Sequence, residues 1–193
     1  MGRSRSSVSL AAWQDRDVDD VCDVTGVEAE VSVEIAAPSD LVWDLLADLS
    51  LTPVINRETL RTDWLTPSTG WTVGSVFRAT NRIGEREWSV DCHVTVADRP
   101  GELGWTVLDP QNPSSTWWYR LEPRVGGGAQ VTQGFRHGPN VSGLRWAVEA
   151  EPARGAQIVA GRIAMLTANM EYTLGRVAEL ATGKSIPPSA QSA

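Results

Sequence analysis

Lysine is almost missing from this chain: of 17 basic residues only Lys184 is a lysine, and it stands near the C-terminal end. A mechanism built on a Schiff-base amine therefore has no suitable nucleophile. Cysteine and histidine are equally scarce, two of each, too few for a disulfide framework or a zinc site of the usual spacing. No apolar run is long enough to cross a bilayer as a helix, and MGRSRSSVSLAAW lacks the apolar core of a secretory signal, so reduced thiols in a cytoplasm are expected. Basic surplus is lacking too. The net charge of −7 argues against a sequence-independent grip on nucleic acid, which needs a positive face to displace counterions. No GxSxG elbow occurs, no dinucleotide fingerprint sits between a strand and a helix, and the GGG at 126–128 joins two strand patterns rather than cradling phosphate at a helix start.

What the chain has in excess is tryptophan, nine residues against two phenylalanines and two tyrosines. Core packing accounts for most of such rings, but a large ring with one N–H donor also suits the wall of a pocket. At 193 residues the chain fits one domain. Residues 1–27 read as a mobile polar leader, 28–182 as the folded body and 183–193 as a disordered tail.

Within the body, AEVSVEI alternates apolar and polar residues like a strand with one covered face. Pro38-Ser39 then opens a helix with Val42, Leu45, Leu46 and Leu49 on one stripe, and Pro53 permits a second short helix. Strand alternation returns in TLRTDWL, SVFRATNR, EWSVDCHVTVA, ELGWTVL, STWWYRLEP and AQVTQGFRH, separated by glycine or proline turns. Val159, Ile163, Leu166, Met170, Thr173, Val177 and Leu180 mark one face of a helix over 153–181. The expectation is an α+β fold, a seven-stranded curved antiparallel sheet wrapped around a long C-terminal helix, with two short helices after the first strand.

Alternation also sorts side chains. Cys92 and His93 are adjacent on one strand and so point to opposite faces, which rules them out as a nucleophile and its base. Trp88, Val90, Cys92, Val94 and Val96 are expected to face the helix. So are Phe77, Ala79 and Asn81; Leu103, Trp105 and Val107; Trp117, Tyr119 and Leu121; and Val131, Gln133, Phe135 and His137. The polar members of these rows, joined by Thr62 and by Asn169 on the helix flank, must each bond a neighbour, water or a ligand.

The order and spacing of VEIAAPSDLVWDLLADL, GSVFRATNRIGEREWSVDCHVT, GWTV, WWYRLEP, RWAVEAEP and NMEYTLGRVAEL resemble the START-like (SRPBCC) superfamily, in particular bacterial polyketide cyclase/dehydrase-like proteins. The resemblance implies a helix-grip fold enclosing an apolar cavity, without a motif that fixes a reaction. What it suggests is a cofactor-free, metal-free cyclase or dehydratase acting on a polyketide-derived or aromatic intermediate. His137 or Tyr119 would serve as acid or base, and Asn81, Trp88, Trp105, Trp117, Gln133, Phe135, Met165 and Asn169 would line the cavity. The alternatives are a lipid or metabolite carrier or sensor that leaves its guest unaltered, and an interaction module that works through its acidic exterior. The expected partner is a hydrophobic small molecule, with an acyl carrier protein as a further candidate. Monomer and homodimer both fit.

Overall fold

The computed structural model describes residues 5–9, 23–65 and 70–183. The elements run β1 (Arg5–Ser9), β2 (Glu28–Ile35), α1 (Ser39–Ala47), α2 (Thr52–Ile55) and β3 (Thr59–Trp64). After these come β4 (Val76–Ile83), β5 (Arg86–Asp98), β6 (Glu102–Val107), β7 (Ser115–Pro123), β8 (Ala129–His137), α3 (Gly143–Ala150) and α4 (Gly155–Thr182). All strands pair antiparallel in one sheet of order β1-β2-β8-β7-β6-β5-β4-β3. Strands β3 to β8 form a meander, and β2 closes against the last of them, so the helices that follow β2 must cross the sheet's concave side.

The expected body is present strand for strand. One strand comes in addition: Arg5–Ser9 lies within the expected leader and pairs with β2, Ser9 opposite Glu28. Residues 1–4, 10–22 and 184–193, which hold most of the expected leader and nearly all of the expected tail, lie outside the described residues. The packed body begins before residue 28, because Val24 and Val27 are already buried in the core.

The physical logic of each element is local. In β2, Ala29, Val31 and Ile35 are buried, while Glu28 and Glu34 turn outward to Arg136 and Arg124 at 2.8 and 3.0 Å. In α1, Val42, Trp43 and Leu46 are buried and Leu45 packs against the same core. Helix α4 runs 28 residues, roughly 42 Å at 1.5 Å rise, and Gly183 ends it in the left-handed conformation at φ 65°. Its buried face, Val159, Ile163, Leu166, Met170, Leu174 and Val177, joins the core formed with the inward residues of β2, β7 and β8.

Two features depart from the alternation read in the sequence. The β5–β6 register shifts between Val94 and Val96, and this bulge inverts the faces beyond it. Val96, expected inward, lies on the outer face over Gly104, and Ala97 takes the inward place in the cluster around Cys92. Helix α3 has no counterpart among the expected elements. Ser142 caps it by accepting a hydrogen bond from the Arg145 N–H at 3.0 Å, and Leu144 and Val148 give it a one-turn apolar contact with the core.

Candidate functional site

Register places the inward side chains of the central strands in rungs. Trp105, Trp117 and Phe135 are successive Cα partners across β6, β7 and β8, and Leu103, Tyr119 and Gln133 form the next rung. The rings pack on one another: Trp105 and Trp117 are stacked at 6.3 Å with 7° between planes, Trp117 and Phe135 meet at 4.7 Å, and Trp105 and Tyr119 at 5.6 Å. Trp64, Trp71 and Phe77 extend the cluster, with Trp71 5.7 Å from Trp105 and 6.1 Å from Trp64. Trp71 is fixed by donating its indole N–H to the Ala47 carbonyl at 2.8 Å.

Trp105 and Trp117 face the concave side, yet both are only half-buried. These rings point toward the helix layer, pack against its core and keep part of their surface accessible. On the opposite face of the sheet a cleft of about 300 Å³ is lined by Glu28, Glu30, Glu102, Arg120, Arg136 and Trp118. Its charges are cross-paired: Arg136 with Glu28 at 2.8 Å, and Arg120 with Glu30 at 3.5 Å and Glu102 at 3.6 Å. That chemistry does not suit an apolar guest.

The concave side is electrically quiet. The inward rows of the strands and the buried face of α4 carry no Asp, Glu, Lys or Arg among the described residues. Three ionisable groups face inward, and burial holds each neutral. Desolvation pushes the Cys92 thiol up to about 12, with the Asp91 carboxylate adding to the shift. Burial likewise raises the Tyr119 phenol, so its hydroxyl remains a donor at any physiological pH. On the outer face, Asp91 binds Arg78 through two bonds of 2.6 and 2.9 Å, and His93 is half-buried beside it.

Several residues expected to line the site are occupied elsewhere. His137, 3% exposed, uses both ring nitrogens: Nδ1 pairs with the Gly138 carbonyl at 2.8 Å and Nε2 with the Ser142 hydroxyl at 2.7 Å. Since a carbonyl only accepts, Nδ1 carries the proton and Ser142 donates to Nε2. No lone pair is left to work as a base, and the ring instead clasps the end of β8 to the cap of α3. Asn169 accepts from the Arg57 N–H at 2.9 Å and donates to Asn56 at 3.2 Å, tying α4 to the turn before β3. Asn81 accepts from the Thr59 hydroxyl at 2.9 Å, and Thr62 donates to the Leu49 carbonyl at 2.6 Å. Trp88 pairs with Asn81 near the β4–β5 hairpin, away from the stacked rings. Met165 is 47% exposed on the flank of α4, outside the aromatic cluster. The structure thus brings together Trp105, Trp117, Tyr119, Gln133 and Phe135. It adds Trp64, Trp71 and Phe77, which sequence reasoning did not assign to the site.

The clasp has a pH signature. Burial, the leading cause, and the Arg145 charge lower the His137 pKa, outweighing the Gly138 carbonyl and the Asp23 charge, which raise it. The unfolded chain then binds a proton that the folded chain refuses, so this contribution to stability is present above about pH 6.5 and is lost as pH falls toward the folded-state value. The Tm of the wild type should drop more between pH 7.5 and 5.5 than that of His137→Gln. Equal drops in a thermal melt series would contradict the assignment.

Comparison with known proteins places this geometry. Residues 26–182 match the family described as polyketide cyclase / dehydrase and lipid transport. No curated protein matches the chain. Among solved structures it is similar to a polyketide-cyclase-like protein of Corynebacterium glutamicum, 25% identical over 79% of this chain and 90% of that one, with a TM-score of 0.58. It is also similar in fold to the ZhuI aromatase/cyclase of Streptomyces sp. R1128, 19% identical over 79% of this chain and 93% of that one, TM-score 0.57. A third is the di-domain aromatase/cyclase BexL of the BE-7585A biosynthetic pathway, 17% identical over 91% of this chain and 61% of that one, TM-score 0.62. Among the described residues no helix is long and apolar enough to cross a membrane, and no cluster of His, Cys, Asp or Glu is placed to hold a metal ion. With the helix-grip architecture and the family match over most of its length, the chain belongs to the polyketide cyclase / dehydrase and lipid transport family.

Proposed function

We propose that the concave face binds a flat hydrophobic molecule, polyketide-derived or aromatic, and promotes its cyclisation or dehydration without a cofactor. The observation that carries this reading is the half-open Trp105–Trp117–Phe135 rung bordered by the buried Tyr119 hydroxyl. Stacked indoles bind flat π-systems through dispersion and water exclusion. A flexible poly-β-ketone held there would be confined near its reactive fold, which lowers the entropic part of the barrier. In ring closure an enol carbon adds to a ketone carbon: the C–C bond forms, the ketone C=O π bond breaks, the enol O–H gives up its proton as its oxygen becomes a carbonyl, and the former ketone oxygen takes up a proton in its place. The Tyr119 hydroxyl, kept protonated by burial, supplies a hydrogen bond to that developing oxyanion. Loss of water afterwards restores conjugation. The substrate reaches the site free or delivered by an acyl carrier protein.

Incubation with a poly-β-ketone surrogate, followed by mass and absorbance, tests the reading: a product lighter by one water, formed without added cofactor, is expected. Tyr119→Phe keeps the ring and should slow that turnover by about 100-fold while leaving ligand affinity nearly unchanged. An unaltered rate would remove Tyr119 from the chemistry.

The occupied nitrogens of His137 favour a second reading, a carrier that binds and releases its guest unchanged. Saturable binding with the ligand recovered at its original mass would select it.

A further inference from the structure

On the inward rows of the strands one polar group stands apart, while on the facing helix α4 the buried Thr173 hydroxyl also has no partner among the described residues. Gln133 is 2% exposed, and its side-chain carbonyl Oε1 is buried with no hydrogen-bond partner among the described residues. Asn81, Asn169, Thr62 and His137, expected like Gln133 and Tyr119 on the concave side, all have partners. Gln133 sits at the centre of the sheet, its Cα partners being Tyr119 on β7 and Val31 on β2, with Phe135 two residues along the same inward row. A buried amide oxygen without a partner is costly, and a central strand is an expensive place to keep one. A guest that donates a hydrogen bond there recovers what folding gives up.

We infer that Gln133 selects the guest: its Oε1 accepts a hydrogen bond from a hydroxyl on an uncharged aromatic or enolic ligand lying along the Trp105–Trp117–Phe135 rung. This rests on the concave face being the binding site. The surroundings fix the charge of the guest as well as its polarity. A carboxylate or ammonium entering the hollow would meet no opposite charge on the inward rows, and Arg162, on the neighbouring flank of α4, is already held by Glu58 through two bonds of 2.7 and 2.9 Å. An ionised ligand would lose its hydration without compensation. A hydroxylated neutral ring loses little, and its O–H meets an acceptor already in place. A hydrocarbon of the same shape leaves Gln133 as it was and gains only the stacking. Phenols and enols are thus preferred to hydrocarbons and to carboxylic acids of the same outline.

Calorimetric titration of the full chain at pH 7 with 2-naphthol, naphthalene and 2-naphthoate tests this. The wild type should bind 2-naphthol about tenfold more tightly than naphthalene, the scale of one net hydrogen bond, and 2-naphthoate more weakly than either. Gln133→Leu should erase the preference for 2-naphthol, leave naphthalene affinity unchanged or improved, and melt no lower than the wild type, because it removes an unpartnered acceptor. If that variant melts well below the wild type, Gln133→Met is read in its place. Misfolding of both would show Gln133 to be a structural partner and overturn the inference. A preference for 2-naphthol that survives in Gln133→Leu, or 2-naphthoate bound as tightly as 2-naphthol, would also overturn it while leaving the concave site standing. Absence of binding by all three ligands would instead remove the concave site itself.

Discussion

Replacing Trp105 with alanine should weaken binding of a flat aromatic guest by about 2 kcal/mol, roughly thirtyfold in Kd, the scale of an aromatic anchor at the centre of a contact. Trp105 is the hub of the inward rings. It lies 5.7 Å from Trp71, 6.3 Å from Phe77, 6.3 Å from Trp117 and 5.6 Å from Tyr119. Its removal takes away one face of the stacking surface and lets four neighbours relax into the space. Folding should suffer as well, by about 2–4 kcal/mol, somewhat under the full cost of a buried tryptophan because Trp105 is only half-buried. Trp105→Phe separates the two effects, since it keeps a ring at the hub and should recover most of the stability but only part of the affinity. Titration of the folded variants against 2-naphthol, alongside thermal melts, reads both quantities. Full affinity in a folded Trp105→Ala variant would mean that the guest does not lie on this rung.

Gly134→Ala should be the most damaging single methyl group in the sheet. Gly134 faces outward on β8, between the inward residues Gln133 and Phe135, and Trp118 of β7 is its Cα partner. The indole lies flat over the glycine, so an added Cβ would stand 2.1 to 2.3 Å from its ring atoms. The ring has little freedom to retreat. It donates its N–H to Glu30 at 3.2 Å, and the Arg120 guanidinium covers it at 5.1 Å. Either the indole leaves its place or β8 bends away from β7, at a cost of about 2–4 kcal/mol. For a chain of this size that corresponds to a fall in Tm of about 10 °C. Because the contact lies directly behind Gln133 and Phe135, ligand affinity should fall with it. A melt within a degree or two of the wild type would show that the indole is not confined there.

The strand pattern was legible because each central strand buries one face and wets the other, so alternation maps directly onto the pleat. It failed where the backbone gains a residue. Nothing in HVTVADRP announces the bulge after Val94, so the strand period runs on in the sequence to Val96 although the register shifts before it. Arg5–Ser9 was illegible for another reason: RSSVS has one apolar residue and so shows no alternation to read. The capping serine at 142 was a usable sign of α3, since a hydroxyl just before an apolar pair at i and i+4 is a helix-start pattern.

The site divides in the same way. Alternation correctly set Trp105, Trp117, Tyr119, Gln133 and Phe135 on one face, because each lies in an uninterrupted stretch of strand. Trp71 escaped because it stands in STGWTVGS, where glycine turns leave no period to read. What alternation cannot supply is partnership. Asn169 finds Asn56 and Arg57 more than a hundred residues away, and His137 finds Ser142 only because α3 brings that hydroxyl back over the end of β8. These long-range meetings occupy Asn169 and His137, and they leave the Gln133 Oε1 buried without a partner among the described residues.

A crystal structure of the full chain grown with saturating 2-naphthol would test the central claim most directly. The account predicts ligand density on the concave face, its ring against Trp105 and Trp117 and its hydroxyl within hydrogen-bond distance of Gln133 Oε1. Indole rings closed over that space, with density confined to the outer face of the sheet or absent at full saturation, would contradict it.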